Sequence, residues 1–141
     1  MKLSTKGKYG LYAMMYLARH AGEGPQSLKA IAELGLPDPY LEQLLGAFRR
    51  AALVTTVRGA QGGYQLSRSP GAITLRQILE AMEGPLSFSD CVTEPDHICP
   101  RGSQCPAKGI WEYLTDRING LMDGITLKDM LDQNIKGDAQ L

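Results

Sequence analysis

Apolar residues recur at helical spacing near the start of the chain. Tyr9, Tyr12, Ala13, Tyr16 and Leu17 fall on one face, and Gly22-Glu23-Gly24-Pro25 ends the run. Ser4 or Thr5 is placed to cap this first helix. A shorter stripe follows in "LKAIAELG": Leu28, Ile31, Ala32 and Leu34, with Ser27 as cap and Gly35 as stop. "LPDP" then makes a tight connection. Asp38 is the expected cap, and Pro39 the first helical residue, where its missing N–H costs nothing. Leu41, Leu44, Leu45, Phe48 and Leu53 mark the inward face of a third helix, "YLEQLLGAFRRAAL", which Gly46 weakens modestly.

"LVTTVRGAQGGYQLS" reads as a strand (Leu53–Val57), a glycine-rich tip (Arg58–Gly63) and a second strand (Tyr64–Ser67). Two helices joined by a short glycine-containing turn and followed by a hairpin make a winged helix. The alternative is a hairpin that merely closes the core. A basic tip without acids favours the wing. The expected fold class is therefore mainly α with a small β-hairpin, a winged helix-turn-helix followed by a long C-terminal helix.

Thr74 caps the next helix, "ITLRQILEAMEG", and Gly84-Pro85 stops it. Residues 88–106 hold Pro95, Pro100, Gly102 and Pro106, so no regular structure is expected there. In "AKGIWEYLTDRINGLMDGI", Ile110 or Trp111, Leu114, Ile118, Leu121, Met122 and Ile125 form a stripe over about four turns. Nothing adjacent in sequence covers this stripe. It packs back on the domain or, the favoured reading, meets its own copy across a dimer axis. "TLKD" opens a last short helix as a capping box of Thr126 and Asp129. The expected divisions are 1–84 (winged helix), 85–107 (cysteine loop), 108–135 (dimerisation helix and short terminal helix) and 136–141 (flexible tail).

Charge adds to this picture. The chain of 141 residues has no net charge, yet residues 1–70 carry nine Lys/Arg against four acids and residues 71–141 six against eleven. An N-terminal half at +5 and a C-terminal half at −5 suggest a basic face for a polyanion. The opening Met1-Lys2-Leu3-Ser4-Thr5 lacks an apolar targeting core and no run approaches membrane-spanning length, so a cytoplasmic protein is expected. There is no Ser-His-Asp set, phosphate loop or two-histidine metal motif. Neither catalysis nor a small-molecule substrate is expected.

Double-stranded DNA is the polyanion that a winged helix fits. Ser4, Thr5, Lys6 and Lys8, with Ser27 at the second helix cap, stand where helix N-termini meet backbone phosphate. Tyr40, Glu42 and Gln43 open the third helix, where side chains reach base edges. Gln43 can pair with adenine, and Glu42 can accept from a cytosine amine or remain a solvated helix residue. Arg49 and Arg50 suit phosphate or solvent. Arg58 and Gln61, with Gly59 permitting a tight tip, suit the minor groove. Two copies about a two-fold axis call for a roughly palindromic operator.

Cys91, Cys99 and Cys105 are all the cysteines of the chain and lie within fifteen residues, with His97 between the first two. In a reducing compartment such a cluster binds a metal or is redox-active. Cys91, His97, Cys99 and Cys105 could make a Cys3His zinc site, although the spacing lacks the short knuckles of zinc ribbons. An iron–sulfur cluster also takes four ligands, and a metal-free thiol switch is a third reading. For the fourth ligand His97 leads, with Asp90, Glu94 and Asp96 as oxygen alternatives; the alternative reading of His97 is a solvated loop residue.

"MKLSTKGKYGLYAMMYLA", "IAELGLPDPYLEQLLGAFRRAALVTTVRGAQGGYQLSR" and "LMDGITLKDML" together resemble the Rrf-two family of bacterial winged-helix regulators. The three cysteines ahead of a Trp-bearing helix place the chain beside the family's iron–sulfur members, of the IscR and NsrR kind. The resemblance implies a homodimeric transcription regulator with a cluster, most simply [2Fe–2S], in a loop beside the dimerisation helix. It implies target genes of iron–sulfur biogenesis, nitric-oxide response or cysteine metabolism. The chain departs from the family at two ligand positions. Lys108 stands where a histidine follows the last cysteine, and Lys8 where some relatives place an acid.

Overall fold

A computed structural model of the chain describes residues 2–94 and 99–135. Its elements are α1 (Thr5–Arg19), α2 (Leu28–Ala32), α3 (Asp38–Arg50), β1 (Val54–Val57), β2 (Gly63–Leu66), α4 (Leu75–Glu83), α5 (Asp90–Thr93), α6 (Lys108–Asp123) and α7 (Leu127–Leu131). The fold is the mainly helical winged helix that the pattern calls for.

Local side chains start most of the helices. The Ser4 hydroxyl accepts the Gly7 N–H at 3.2 Å, and Ser27 accepts from Ala30 at 3.1 Å. Thr74 with Gln77, and Thr126 with Asp129, close reciprocal capping boxes. α3 starts one residue earlier than its cap signal suggested. Pro37, in extended conformation, is the cap; its carbonyl accepts the Leu41 N–H at 2.9 Å, so Asp38 is the first helical residue and Pro39 the second.

Four further expectations are corrected. Tyr12 is 50 % exposed, because the buried face of α1 keeps Ala13 and Leu17 of the expected set but otherwise runs through Gly7, Gly10 and Met14. Leu34 is 44 % exposed. α2 tightens after Ala32 into bonds from Leu34 to Ile31 and from Gly35 to Ala32, and the turn throws Leu34 outward. The cysteine segment is not wholly irregular: Cys91 lies in the four-residue α5, and Gly102–Gln104 form a 3-10 turn. β1 starts at Val54 and β2 spans Gly63–Leu66, so Leu53 is a core residue ahead of the strand.

The core joins Met14 and Leu17 of α1, Ile31 of α2, Leu41, Leu44, Leu45 and Phe48 of α3, Val54, Ile73, Ile78 and Leu127. α1 crosses the end of α4 at close range. A methyl group on Gly10 would stand 2.6 Å from Met82 Sδ and 3.0 Å from Phe48 Cζ. α7 returns to this core: Leu75 N–H meets Ile125 O at 2.8 Å, Leu127 N–H meets Ile73 O at 3.0 Å, and Leu127 and Met130 are buried.

The hairpin is antiparallel, with Val54 opposite Leu66 and Val57 opposite Gly63. Its turn-proximal end is tied to the α1–α2 connection by two Gln26–Tyr64 backbone bonds of 2.8 Å. Gly63 makes that approach possible. Its φ is +149°, and a side chain there would stand 2.2 Å from Gln26 O. Gly63→Ala should therefore cost about 1–3 kcal/mol, read as a lowered thermal midpoint, with the wing freed from Gln26.

Candidate nucleic-acid interface and cysteine segment

The fold brings the start of α1 against α3. Lys6, Pro39, Glu42, Gln43, Gly46 and Arg50 line one open depression of about 500 Å³. Gly46 leaves the helix flank bare, so the Arg50 guanidinium lies back along it; a methyl there would be 3.5 Å from Nη1. Glu42 and Gln43 are exposed on the same face. Two elements far apart in side-chain chemistry thus offer cations and hydrogen-bonding groups to one surface.

The other predicted contacts divide by what already engages them. Thr5, Lys8 and Arg49 are exposed, as are Arg58, Gly59 and Gln61 at the hairpin tip. Ser27 is exposed, with its hydroxyl engaged as the α2 cap. Tyr40 is half-buried and packs edge-on against Tyr9 at 6.0 Å, so much of its ring belongs to the core margin. Among the described residues, no ion pair engages Lys6, Lys8, Arg49, Arg50 or Arg58. Arg76 contrasts with them. It bonds Asp123 at 2.9 Å and Glu80 at 3.0 Å, and these bonds, Asp123's first, raise its pKa above the ordinary value. Those five cations stay outside ion pairs among the described residues, whereas the charge of Arg76 joins α4 to α6.

Sequence reasoning missed Glu83. Its carboxylate accepts the Ser4 N–H at 3.2 Å and the Ser4 hydroxyl. The partners are 79 residues apart, and no local pattern marks the pair.

Cys91, Cys99 and Cys105 are half-buried free thiols, and Cys91 donates to Ser89 Oγ at 3.3 Å. The donor chemistry, three soft thiols on one segment, suits iron–sulfur or zinc. Among the described residues, however, no three His, Cys, Asp or Glu side chains are grouped so as to hold a metal ion. His97 and Asp96 lie outside the described residues.

The cysteine segment leans on α6. Phe88 N–H donates to Thr115 Oγ1 at 3.1 Å, and Asn119 Nδ2 donates to Leu86 O at 3.2 Å. The buried face of α6 is thus Thr115, Asn119 and Met122. Of the predicted dimerisation residues, Met122 is buried inside its own chain, Trp111, Leu114, Ile118 and Ile125 are half-buried, and Leu121 is 56 % exposed. Ile110 and Tyr113 extend the exposed apolar surface, at 48 % and 57 %. No helix among the described residues is long and apolar enough to cross a membrane.

The model of the Rrf2 family, described as iron-dependent transcriptional regulator, matches residues 3–133. The HTH-type transcriptional regulator CymR of Bacillus subtilis (strain 168) is 42 % identical over 132 residues, covering 92 % of this chain and 89 % of the relative. Its solved structure, titled as the global cysteine regulator of B. subtilis, superposes with a TM-score of 0.78 at 39 % identity, covering 94 % of this chain and 98 % of that one. IscR of Aliivibrio salmonicida (strain LFI1238) is 37 % identical over 135 residues, covering 95 % of this chain and 79 % of the relative. The structure of T. potens IscR superposes at a TM-score of 0.72 with 46 % identity, over 100 % of this chain and 92 % of that chain.

Proposed function

This chain belongs to the Rrf2 family of DNA-binding transcription regulators, and on that premise we propose that it reads a two-fold operator as a homodimer whose grip is set by an iron–sulfur cluster. It is a regulator and not an enzyme. The observation that carries the interface is the shared depression in which Lys6 of α1 meets Glu42, Gln43 and Arg50 of α3. Lys6 and Arg50 neutralise backbone phosphate and fix register. Gln43 reads adenine, Glu42 selects cytosine, and Arg58 enters the adjacent minor groove from the wing tip. Ile110, Tyr113 and Leu121 give α6 an apolar surface for a second copy. The protein works in the cytoplasm, where thiols stay reduced.

Cys91, Cys99 and Cys105 would hold the cluster, with His97 as the fourth ligand. When bound, such a centre supplies sensitivity to oxidant or nitric oxide, and a non-cysteine ligand makes it easier to lose. The chain's part is to place the thiols: Ser89 Oγ accepts a hydrogen bond from the Cys91 thiol, and Thr115 and Asn119 hold the preceding segment to α6. A ligand that orders this segment shifts DNA binding only if it favours one arrangement of the two winged helices over another.

A second reading is a metal-free thiol switch governing cysteine metabolism. The ungrouped donors among the described residues and the similarity to CymR support it. Iron and sulfide analysis of anaerobically prepared protein separates the two. The cluster reading expects both elements in the wild type, neither in the Cys91→Ser/Cys99→Ser/Cys105→Ser variant, and different operator affinity for the two. Metal-free wild type whose binding responds to thiol oxidation would establish the switch. Equal binding to palindromic and random duplexes at physiological salt would sink the operator reading.

A further inference from the structure

The N-terminus of α1 already holds an anion of the protein's own. Glu83 Oε1 accepts both the Ser4 N–H, at 3.2 Å, and the Ser4 hydroxyl. The Ser4 oxygen meanwhile accepts from Gly7 N–H at 3.2 Å, so its single proton is committed to Glu83. Room for this contact is written into the sequence. A methyl on Gly7 would stand 2.5 Å from Glu83 Oε1 and 2.9 Å from Leu3 Cδ1. A carboxylate at the positive end of a helix is favourable in itself. Its position adds a second consequence. Lys6, on the same helical turn, lines the depression with Glu42, Gln43 and Arg50, so this end of α1 borders the surface proposed for DNA.

We propose that Glu83 is an internal competitor of the operator backbone, its carboxylate occupying the helix end that a phosphate would otherwise take and so setting the affinity for duplex. The inference rests on the interface proposed above. DNA must either displace the carboxylate or bind beside it against like-charge repulsion, and both routes weaken binding. Glu83 is also the last residue of α4. Gly84 follows with φ +80°, and Leu86 and Phe88 are bonded to α6. The competitor is thus tethered to the stretch that leads into the cysteines.

Glu83→Gln keeps an acceptor for Ser4 and removes the charge. It should bind duplex about threefold to tenfold more tightly at low salt, with log K against log salt steeper by about 0.9 per carboxylate removed and a thermal midpoint lowered by about a few degrees at most. Lys6→Ala, measured in parallel, should weaken binding and flatten the slope by about as much per charge. If Lys6→Ala has no effect, α1 does not face DNA, and both the interface and this inference fall. If Lys6→Ala weakens binding while Glu83→Gln leaves affinity and slope unchanged, or lowers affinity, Glu83 is only a structural cap and the inference alone is overturned.

Discussion

Phe48→Ala is expected to remove about 3–5 kcal/mol of stability, the full range for deleting a buried aromatic ring. Phe48 is completely buried, and its ring tip reaches the crossing of α1 over α4, where Gly10 and Met82 meet it. The lost ring takes its transfer free energy with it, and three helices are held too firmly by their other contacts to collapse into the space. A domain of this size has about 5–15 kcal/mol in all, so a large share of its stability rests on one side chain. Urea unfolding should show a lower midpoint with an unchanged slope. Leu34→Ala is the control. Pattern alone places Leu34 in the core, but it is 44 % exposed, and its loss should stay within about 0.5 kcal/mol. Equal losses from the two substitutions would mean that α2 continues through Leu34 in solution.

The contrast between these residues shows which parts of the fold were legible. Helix starts were readable because a cap is a contact over three residues: Ser4 to Gly7, Ser27 to Ala30, Thr74 to Gln77. The buried face of α1 was misjudged for a physical reason. Hydrophobic pattern credits Tyr12 with its ring, yet Gly7 and Gly10 are the positions pressed against α4, and a residue without a side chain leaves no apolar mark. The return of α7 was equally hidden. Its capping box was visible, but the bridge between Thr74 and Thr126 depends on the path of the whole intervening chain.

The site divides in the same way. Lys6, Glu42, Gln43, Arg50 and Arg58, the residues of the proposed interface, could be singled out because exposed charge and polar groups on a helix-turn-helix and wing are features of local sequence. Glu83 was not, since its partner is on the first helix. Thr115 and Asn119 were missed because the apolar stripe of α6 drew attention to the opposite kind of residue. They are buried because they satisfy backbone groups of Leu86 and Phe88, a role that hydrophobicity cannot report.

Removing Lys6, Arg50 and Arg58 together as alanines is expected to cost at least about a thousandfold in affinity at moderate salt. None of the three is tied in an ion pair among the described residues, so each is free to displace counterions. In the proposed dimer the change deletes six cations, and the log–log salt slope should fall by about five, at about 0.9 per phosphate neutralised. All three are exposed, so the thermal midpoint should barely move. Gln43→Ala supplies the complementary result. It removes no charge and should leave the slope intact while narrowing the gap between operator and mismatched sequence by about 1–3 kcal/mol per contact. Affinity and specificity are thereby assigned to different residues of one surface. A triple variant that keeps the wild-type slope would place the DNA on another face of the protein. A Gln43→Ala variant that loses slope but keeps its sequence preference would mean that α3 meets phosphate and not bases.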